Sequence, residues 1–255
     1  MNIKKIDLYY FSGTGNTLLV CRKMKETFEK KGVETKLYAI EKEVPANTNM
    51  ESCIGLAFPV AVFTTYPLVM KFIKGLPKAE GTKVFMVDTM GGLSLGIRSV
   101  IKSMLKKKGY YPIASSQVVM PDNFWPTQEK DSQNPNIVNK GMSSASSYAE
   151  NILNGTAQWS QVSVFPNAVY ALSQFLFTLP SFRKKTIKFN KAKCVKCGLC
   201  SKLCPVGNIT MHEYPIFNGK CEVCVRCNSF CPTGALYRKK DGEHVYRAVK
   251  PEELI

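Results

Sequence analysis

Eight of the ten cysteines in this 255-residue chain lie close together near its C-terminus. They form two copies of the pattern Cys-x2-Cys-x2-Cys-x3-Cys-Pro, and each cysteine of the second copy follows its equivalent by 27 residues. Duplication at a fixed spacing predicts two similar structural units. The first copy contains Cys194, Cys197, Cys200 and Cys204, and the second contains Cys221, Cys224, Cys227 and Cys231.

This spacing favours iron–sulfur chemistry over zinc or disulfides. Three closely spaced thiolates can bind three irons of one 4Fe-4S cubane, whereas a zinc site needs only paired Cys-x2-Cys sequences. The N-terminal residues lack the apolar core and cleavage site of a signal peptide, so we expect a reducing cytoplasm, in which disulfides are disfavoured. Cys21 and Cys53 lie apart from the others in apolar segments, which is typical of buried core cysteines.

Residues 187–238 resemble the bacterial-type two-cluster ferredoxins through this duplicated motif. The resemblance implies low-potential, one-electron transfer through two 4Fe-4S clusters. It also implies that the last cysteine of each copy binds the cluster of the other copy. The expected ligand sets are Cys194, Cys197, Cys200 and Cys231 for one cluster, and Cys221, Cys224, Cys227 and Cys204 for the other.

A second candidate site follows the first predicted strand, in the sequence Ser12-Gly13-Thr14-Gly15-Asn16-Thr17. Backbone N–H groups and hydroxyls in such a loop can converge on a phosphate at the positive end of a helix. The loop lacks the lysine of a Walker A sequence, and Leu18 stands where a dinucleotide fingerprint needs its third glycine. A helix-capping turn is the simpler alternative.

The elements that must position these sites can be predicted from the hydrophobic pattern. Residues 1–122 alternate between strand-like and helix-like patterns, with strand-like runs at residues 6–11, 34–40, 53–58, 83–87 and 113–120. Apolar residues at helical spacing predict helices over residues 17–31 and 97–105. This order predicts an α/β fold with a doubly wound, flavodoxin-like parallel sheet. The resemblance to two-cluster ferredoxins implies a small α+β ferredoxin-like domain after it.

The phosphate loop and strand order resemble those of flavodoxins over residues 3–120. The resemblance implies FMN beside the first strand, between the loops that follow the third and fourth strands. Besides the phosphate loop, the FMN-binding candidates are Pro59, Val60, Ala61, Phe63, Thr89, Met90, Gly91 and Gly92. Residues 88–96 contain no aromatic side chain, so we expect one flavin face to be open or covered by residues 120–125.

Together these features resemble the flavodoxin–ferredoxin fusion proteins of anaerobic bacteria and archaea. The predicted organisation is an FMN-binding domain (1–122), an irregular and helical connecting segment (123–185), a two-cluster domain (186–240) and a C-terminal tail (241–255). The connecting segment is predicted to begin as a loop, marked by Pro126 and Pro135, and to continue as a helix over residues 137–153. The resemblance implies a cytoplasmic electron-transfer flavoprotein. An alternative is an FMN-dependent reductase of a small molecule, which would need a catalytic acid near the flavin. The only histidines, His212 and His244, lie in or after the cluster domain, so the candidate acid is Asp122 or Tyr66. A redox sensor is a second alternative.

The charge of the chain bears on its partners. The net charge is +16, and residues 181–255 contain 15 basic and 6 acidic residues. Two clusters would add about −2 each and leave this part basic. We therefore expect a redox partner that is acidic at its contact face, with scattered solvated lysines as the alternative. No basic segment is interleaved with stacking aromatics, so no nucleic-acid partner is expected.

An uncharged stretch between Glu150 and Arg183 raises the question of membrane contact. Its cleanest apolar piece, residues 168–179, is shorter than the roughly 18 residues that span a bilayer, so no transmembrane segment is expected. Its helical spacing predicts an amphipathic helix that packs on a neighbouring domain. Contact with a membrane interface is the alternative.

Overall fold

A computed structural model describes the two candidate sites almost completely. The described residues are 3–61, 64–92, 96–123, 128–160, 171–172, 175, 187–238 and 245–255. The predicted helix over residues 168–179 lies mostly outside them. Within the described part of the chain, no helix is long and apolar enough to cross a membrane.

The N-terminal half forms a five-stranded, fully parallel sheet with the strand order β2-β1-β3-β4-β5. This is the flavodoxin-like order, and it confirms the predicted fold class. The chain reverses its winding direction between β1 and β3, so a crevice is expected at the carboxyl ends of these two strands. The strands are β1 (Lys5–Tyr10), β2 (Glu34–Ala39), β3 (Cys53–Pro59), β4 (Lys83–Met90) and β5 (Tyr111–Val119).

Helices cover both faces of the sheet because each presents an apolar stripe to it. The helices are α1 (Asn16–Lys30), α2 (Pro67–Gly75), α3 (Ile97–Lys107) and α4 (Gln128–Asn154). On α1 the buried stripe includes Val20, Met24 and Phe28, which are fully shielded from solvent. Cys21 and Cys53 are buried as predicted, and burial raises the pKa of the Cys53 thiol to about 12.

Residues 128–160 complete this first core, although the sequence placed them in the connecting segment. The hydroxyl of Tyr148 on α4 donates to the carbonyl of Met86 (2.8 Å), and the indole of Trp159 donates to the carbonyl of Arg98 (3.1 Å). The predicted helix begins near residue 137, but α4 begins at Gln128 and contains Pro135. A proline lacks the N–H that a helix interior uses, which is why the sequence pattern placed this stretch in a loop.

The C-terminal part is a small α+β unit with an internal repeat. Two antiparallel ribbons pair β6 (Lys188–Phe189) with β9 (Leu236–Tyr237), and β7 (Ile209–Met211) with β8 (Pro215–Phe217). The short helices α5 (Leu199–Lys202) and α6 (Arg226–Ser229) begin 27 residues apart, which matches the spacing of the cysteine motifs. The predicted ferredoxin-like architecture is therefore confirmed.

Candidate functional site

The eight motif cysteines line two separate cavities. Each of the two cavities has four cysteines in its walls. Cys194, Cys197, Cys200 and Cys231 line the first cavity, and Cys204, Cys221, Cys224 and Cys227 line the second. The structure therefore groups the cysteines across the two copies, as the ligand sets expected from the sequence require. All ten cysteines of the chain are described and none forms a disulfide.

The loops that carry the cysteines adopt a strained backbone at equivalent positions. Lys196 and Gly198 in the first copy have φ angles of 58° and 73°, and their equivalents Val223 and Val225 have φ angles of 60° and 57°. A β-branched residue pays a steric cost in this left-handed region. Successive residues in such a conformation turn their N–H groups toward one point and form a nest for an anion. A bound cluster with its thiolates, which is such an anion, fits these loops.

Hydrogen bonds to sulfur also favour cluster binding. Burial raises the pKa of Cys231, but backbone N–H groups of Leu236, Thr233 and Ala235 near its sulfur outweigh burial and leave the pKa below its ordinary value. Burial raises the pKa of Cys224 to about 12, against the opposing effect of Arg226. Because only a thiolate binds metal, a positively charged iron–sulfur core would supply the stabilisation that this buried sulfur lacks.

The phosphate loop lies at the carboxyl end of β1 and leads into α1. Its three hydroxyl residues Ser12, Thr14 and Thr17 are each 1% exposed. The Ser12 hydroxyl accepts from the N–H of Gly15 (3.1 Å), and Gly15 has a φ of 107°, which only glycine adopts easily. The Thr14 hydroxyl accepts from the side chain of Asn123 (2.9 Å). The loop is therefore compact and held by polar contacts before any ligand binds.

The loops after β3 and β4 meet the phosphate loop, as the sequence predicts, but β4 is longer than expected. Thr89 and Met90 are buried in β4 itself, and the Thr89 hydroxyl bonds to the Thr17 hydroxyl (2.8 Å). Pro59 ends β3, and the N–H of Val60 donates to the carbonyl of Thr89 (2.9 Å). Thr89 thus links all three segments.

The remaining flavin-site candidates follow β3 and β4. Ala61 and Thr64 exchange two backbone hydrogen bonds (2.8 and 3.0 Å), while Phe63 lies outside the described residues. A Cβ atom on Gly91 would lie 3.0 Å from the Cβ of Asp122, whereas a Cβ on Gly92 would meet no described residue within 4 Å. Among the described residues nothing fills the space beside Gly92, and a flat ring fits there.

The second cysteine cavity contacts the phosphate loop directly. A Cβ atom on Gly13 would lie 2.7 Å from the carbonyl oxygen of Cys224, so only glycine allows this approach. Arg226 donates from Nε to the carbonyl of Ser12 (2.8 Å) and from a terminal nitrogen to Glu41 (2.5 Å). Its guanidinium also lies over the ring of Phe11, 4.9 Å from the centroid. This arginine is 2% exposed and joins the two halves of the chain.

The C-terminal segment (residues 245–255) covers the outer side of the same loop. The N–H of Ala248 donates to the carbonyl of Thr14 (2.8 Å), and the hydroxyl of Tyr246 donates to the side chain of Asn16 (2.9 Å). Gly15 packs on Val249, which leaves no room for a Cβ atom. The sequence predicts only a tail here and gives no sign of these contacts, because no local pattern relates residues 230 positions apart.

Comparison with known proteins supports the assignment of the cysteine domain. Residues 187–210 match the family model described as a 4Fe-4S binding domain, which includes the first cysteine copy. No protein with a curated description matches this chain. The match covers a small part of the chain, and it indicates iron–sulfur binding at the C-terminal end.

Solved structures with similar folds include flavodoxins. A Fusobacterium nucleatum flavodoxin bound to flavin mononucleotide is 15% identical, with 59% of this chain and 97% of that chain covered and a TM-score of 0.42. A two-electron reduced Megasphaera elsdenii flavodoxin is 23% identical, with 55% and 98% covered and a TM-score of 0.39. Rubredoxin oxygen:oxidoreductase from Desulfovibrio gigas is 18% identical, with a TM-score of 0.40. The match covers 56% of this chain but only 36% of that chain.

At these identities the fold assignment rests on the strand order of the sheet itself, β2-β1-β3-β4-β5. The assignment of the cysteine domain to iron–sulfur binding rests on the family match and on the two cysteine-lined cavities. The chain thus joins a flavodoxin-like α/β domain to a 4Fe-4S binding domain, the arrangement expected of a flavodoxin–ferredoxin fusion.

Proposed function

We propose that this protein is an electron-transfer flavoprotein that passes electrons between two 4Fe-4S clusters and FMN. The observation that carries the proposal is the contact between the second cysteine cavity and the phosphate loop, through Cys224, Gly13 and Arg226. Cofactors in the two sites would share one wall of protein. This closeness supports exchange of electrons between the sites, which the fusion of two domains would not by itself support.

The proposed cluster ligands are the two groups of four cysteines that line the two cavities. The family match covers the first cysteine copy only, so the second cluster rests on the repeated spacing and on the second cavity. The left-handed backbone at Lys196 and Val223 supports both clusters, because the two copies share it and in the second copy the N–H of Val223 donates to the sulfur of Cys221 (3.4 Å). Together with the buried thiols, these loops fit iron–sulfur clusters, which bind through cysteine thiolates.

The proposed FMN site uses the phosphate loop and the two neighbouring loops. Ser12, Thr14 and Thr17 and the N-terminus of α1 would bind the phosphate. The segments 59–61 and 91–92 would flank the ring at the opening beside Gly92. When bound, FMN exchanges one or two electrons and each cluster exchanges one. The chain fixes their separation and surroundings.

Anaerobic reconstitution with iron, sulfide and FMN tests this proposal. Counting of iron, sulfide and flavin should give about eight, about eight and about one per chain. A reductive titration followed by visible and electron paramagnetic resonance spectra should then show both kinds of centre. About four irons per chain would contradict the second cluster. Two clusters without flavin would contradict the FMN site.

An FMN-dependent reductase is the second candidate, and the opening beside Gly92 favours it. Asp122 packs on Gly91, the residue before Gly92, and pairs with Lys130 (3.0 Å), so a charged pair lies close to the proposed ring site. Tyr66 fits the role of an acid less well, because it is buried against Phe11 and burial raises its pKa far above the ordinary value. Rapid reoxidation of the reduced flavin by a small molecule, lost in Asp122→Asn, would favour this candidate.

A further inference from the structure

The two cysteine cavities are equivalent in the repeat but differ in what covers them. Around the second cavity Val223 and Val225 are each 2% exposed, and the loop between Cys221 and Cys227 faces the flavodoxin-like domain. Glu222 in this loop accepts from the N–H of Leu68 at the start of α2 (2.9 Å). Together with Cys224 and Arg226, it attaches the second cavity to the first domain.

The first cavity faces solvent at the equivalent positions. Cys197 is exposed, and Val195, which also lines the cavity, is 61% exposed. Lys196 stands at the position that Val223 occupies in the second copy, and both have the same left-handed backbone. The repeat therefore carries a charged side chain where its loop is exposed and an apolar side chain where its loop is covered.

Three exposed lysines lie in the chain segment that carries the first cysteines of this cavity, and we call Lys191, Lys193 and Lys196 the lysine rim. Lys196 also pairs with Glu213 (2.8 Å). The ammonium groups of Lys191 and Lys196 lie over the ring of Tyr214, 4.5 and 4.7 Å from its centroid, which places both on one surface. Residues 187–216 contain five lysines and one glutamate. The region stays positive even with a cluster that adds about −2.

We infer that the lysine rim is the docking surface for an acidic, one-electron redox protein of low potential. The inference rests on the proposed function, since it requires a cluster in the first cavity. The partner would lose one electron and the cluster would gain one, with no bond or proton transferred. Opposite charges would steer the encounter, and Val195 would provide the apolar centre of the contact.

A binding experiment with the reconstituted holoprotein tests this inference. The probe is an oxidised plant-type 2Fe-2S ferredoxin, a strongly acidic protein, immobilised on a sensor surface at low salt. The rim variant is Lys191→Glu/Lys193→Glu. The control variant Lys31→Glu/Lys78→Glu makes the same change of charge at exposed lysines that follow α1 and α2 and precede β2 and β4, at the amino ends of the parallel strands. Iron and flavin content are measured for every variant before binding.

We expect the rim variant to bind the probe about tenfold or more weakly, and the control variant to change binding less than about twofold. The difference should disappear near 1 M salt, where charges are screened within about 3 Å. Equal weakening by both variants, or by neither, would overturn the inference. So would rim-dependent binding to anionic lipid vesicles without binding to the ferredoxin. A wild-type protein that fails to incorporate iron would instead contradict the proposed function, which separates the two failures.

Discussion

Arg226 is the single residue that connects most parts of the two sites. It lies between the ligand candidates Cys224 and Cys227, and its guanidinium binds both the phosphate loop and Glu41. The side chains of Arg226 and Glu41 are 2% and 7% exposed, so the ion pair is almost completely shielded from solvent. The second carboxylate oxygen of Glu41 is buried and has no hydrogen-bond partner among the described residues. Removal of the arginine would therefore leave a buried carboxylate with no compensating charge.

We predict that Arg226→Met lowers the free energy of unfolding by about 3 kcal/mol, because breaking a buried pair from one side is costly. Chemical denaturation of the holoprotein measures this change. The double variant Arg226→Met/Glu41→Gln should recover much of the loss, because it removes the isolated charge. If the double variant were as unstable as the sum of the two single variants, the pair would not be coupled as the structure indicates.

The grouping of the cysteines can also be tested at the scale of single residues. We predict that Cys204→Ala resembles Cys227→Ala and differs from Cys200→Ala, because Cys204 and Cys227 line the same cavity. Each variant should lose about four irons. The spectrum of the remaining cluster, measured by electron paramagnetic resonance, identifies which one is left.

Cys21→Ala is the matched control, since Cys21 is buried, lines neither cavity and should not affect iron content. A Cys204→Ala spectrum identical to that of Cys200→Ala would show that each copy binds its own cluster. The cross-copy assignment would then be wrong.

Most elements of this protein could be predicted from local patterns. The five strands are apolar runs bounded by polar turns, and their observed ends differ from the predicted ends by three residues at most. The start of α4 could not be predicted, because Pro135 contradicts the helix locally and packing on α1 outweighs that effect. The same limit applies to Thr89, which the pattern placed in a loop and the sheet retains in β4.

The C-terminal segment shows a second limit of local patterns. Tyr246 and Ala248 complete the phosphate loop from more than 200 residues away, and Leu254 joins a small core with Leu18 and Phe230. Residues with no periodicity and no motif give no signal of such contacts. The cysteine sites were predictable because the chemistry of the cluster imposes its own spacing on the sequence.

We predict that Val249→Ala weakens FMN binding about fivefold while the iron content stays unchanged. Val249 packs on Gly15, so the smaller side chain would leave a gap behind the loop and loosen it. Quenching of FMN fluorescence measures the affinity. Val245→Ala is the matched control, because Val245 is 36% exposed at the start of the same segment. If both variants weakened FMN binding equally, the segment would not support the loop through Val249.

At the scale of the whole molecule, the second cysteine loop is in direct contact with the phosphate loop of the flavodoxin-like domain. Residues from the second cysteine loop and the C-terminal segment hold the outer side of the phosphate loop, whereas the first cysteine loop makes no such contact among the described residues. Two ligands that stabilise one shared structure bind cooperatively, and each raises the affinity for the other by the same factor. Cluster occupancy and FMN affinity should therefore be linked through the second cavity only.

This linkage leads to an asymmetric prediction. Cys227→Ala, which removes a proposed ligand of the second cluster, should weaken FMN binding about tenfold, whereas Cys200→Ala should change it less than about twofold. Both variants lose one cluster, so a general effect of lost iron would weaken FMN binding equally in the two. Fluorescence titration with FMN measures the affinities, and circular dichroism shows whether the flavodoxin-like domain stays folded. Equal affinities in the two variants would mean that the phosphate loop keeps its shape without the second cluster. Cluster binding and FMN binding would then be independent, although the two sites are in contact.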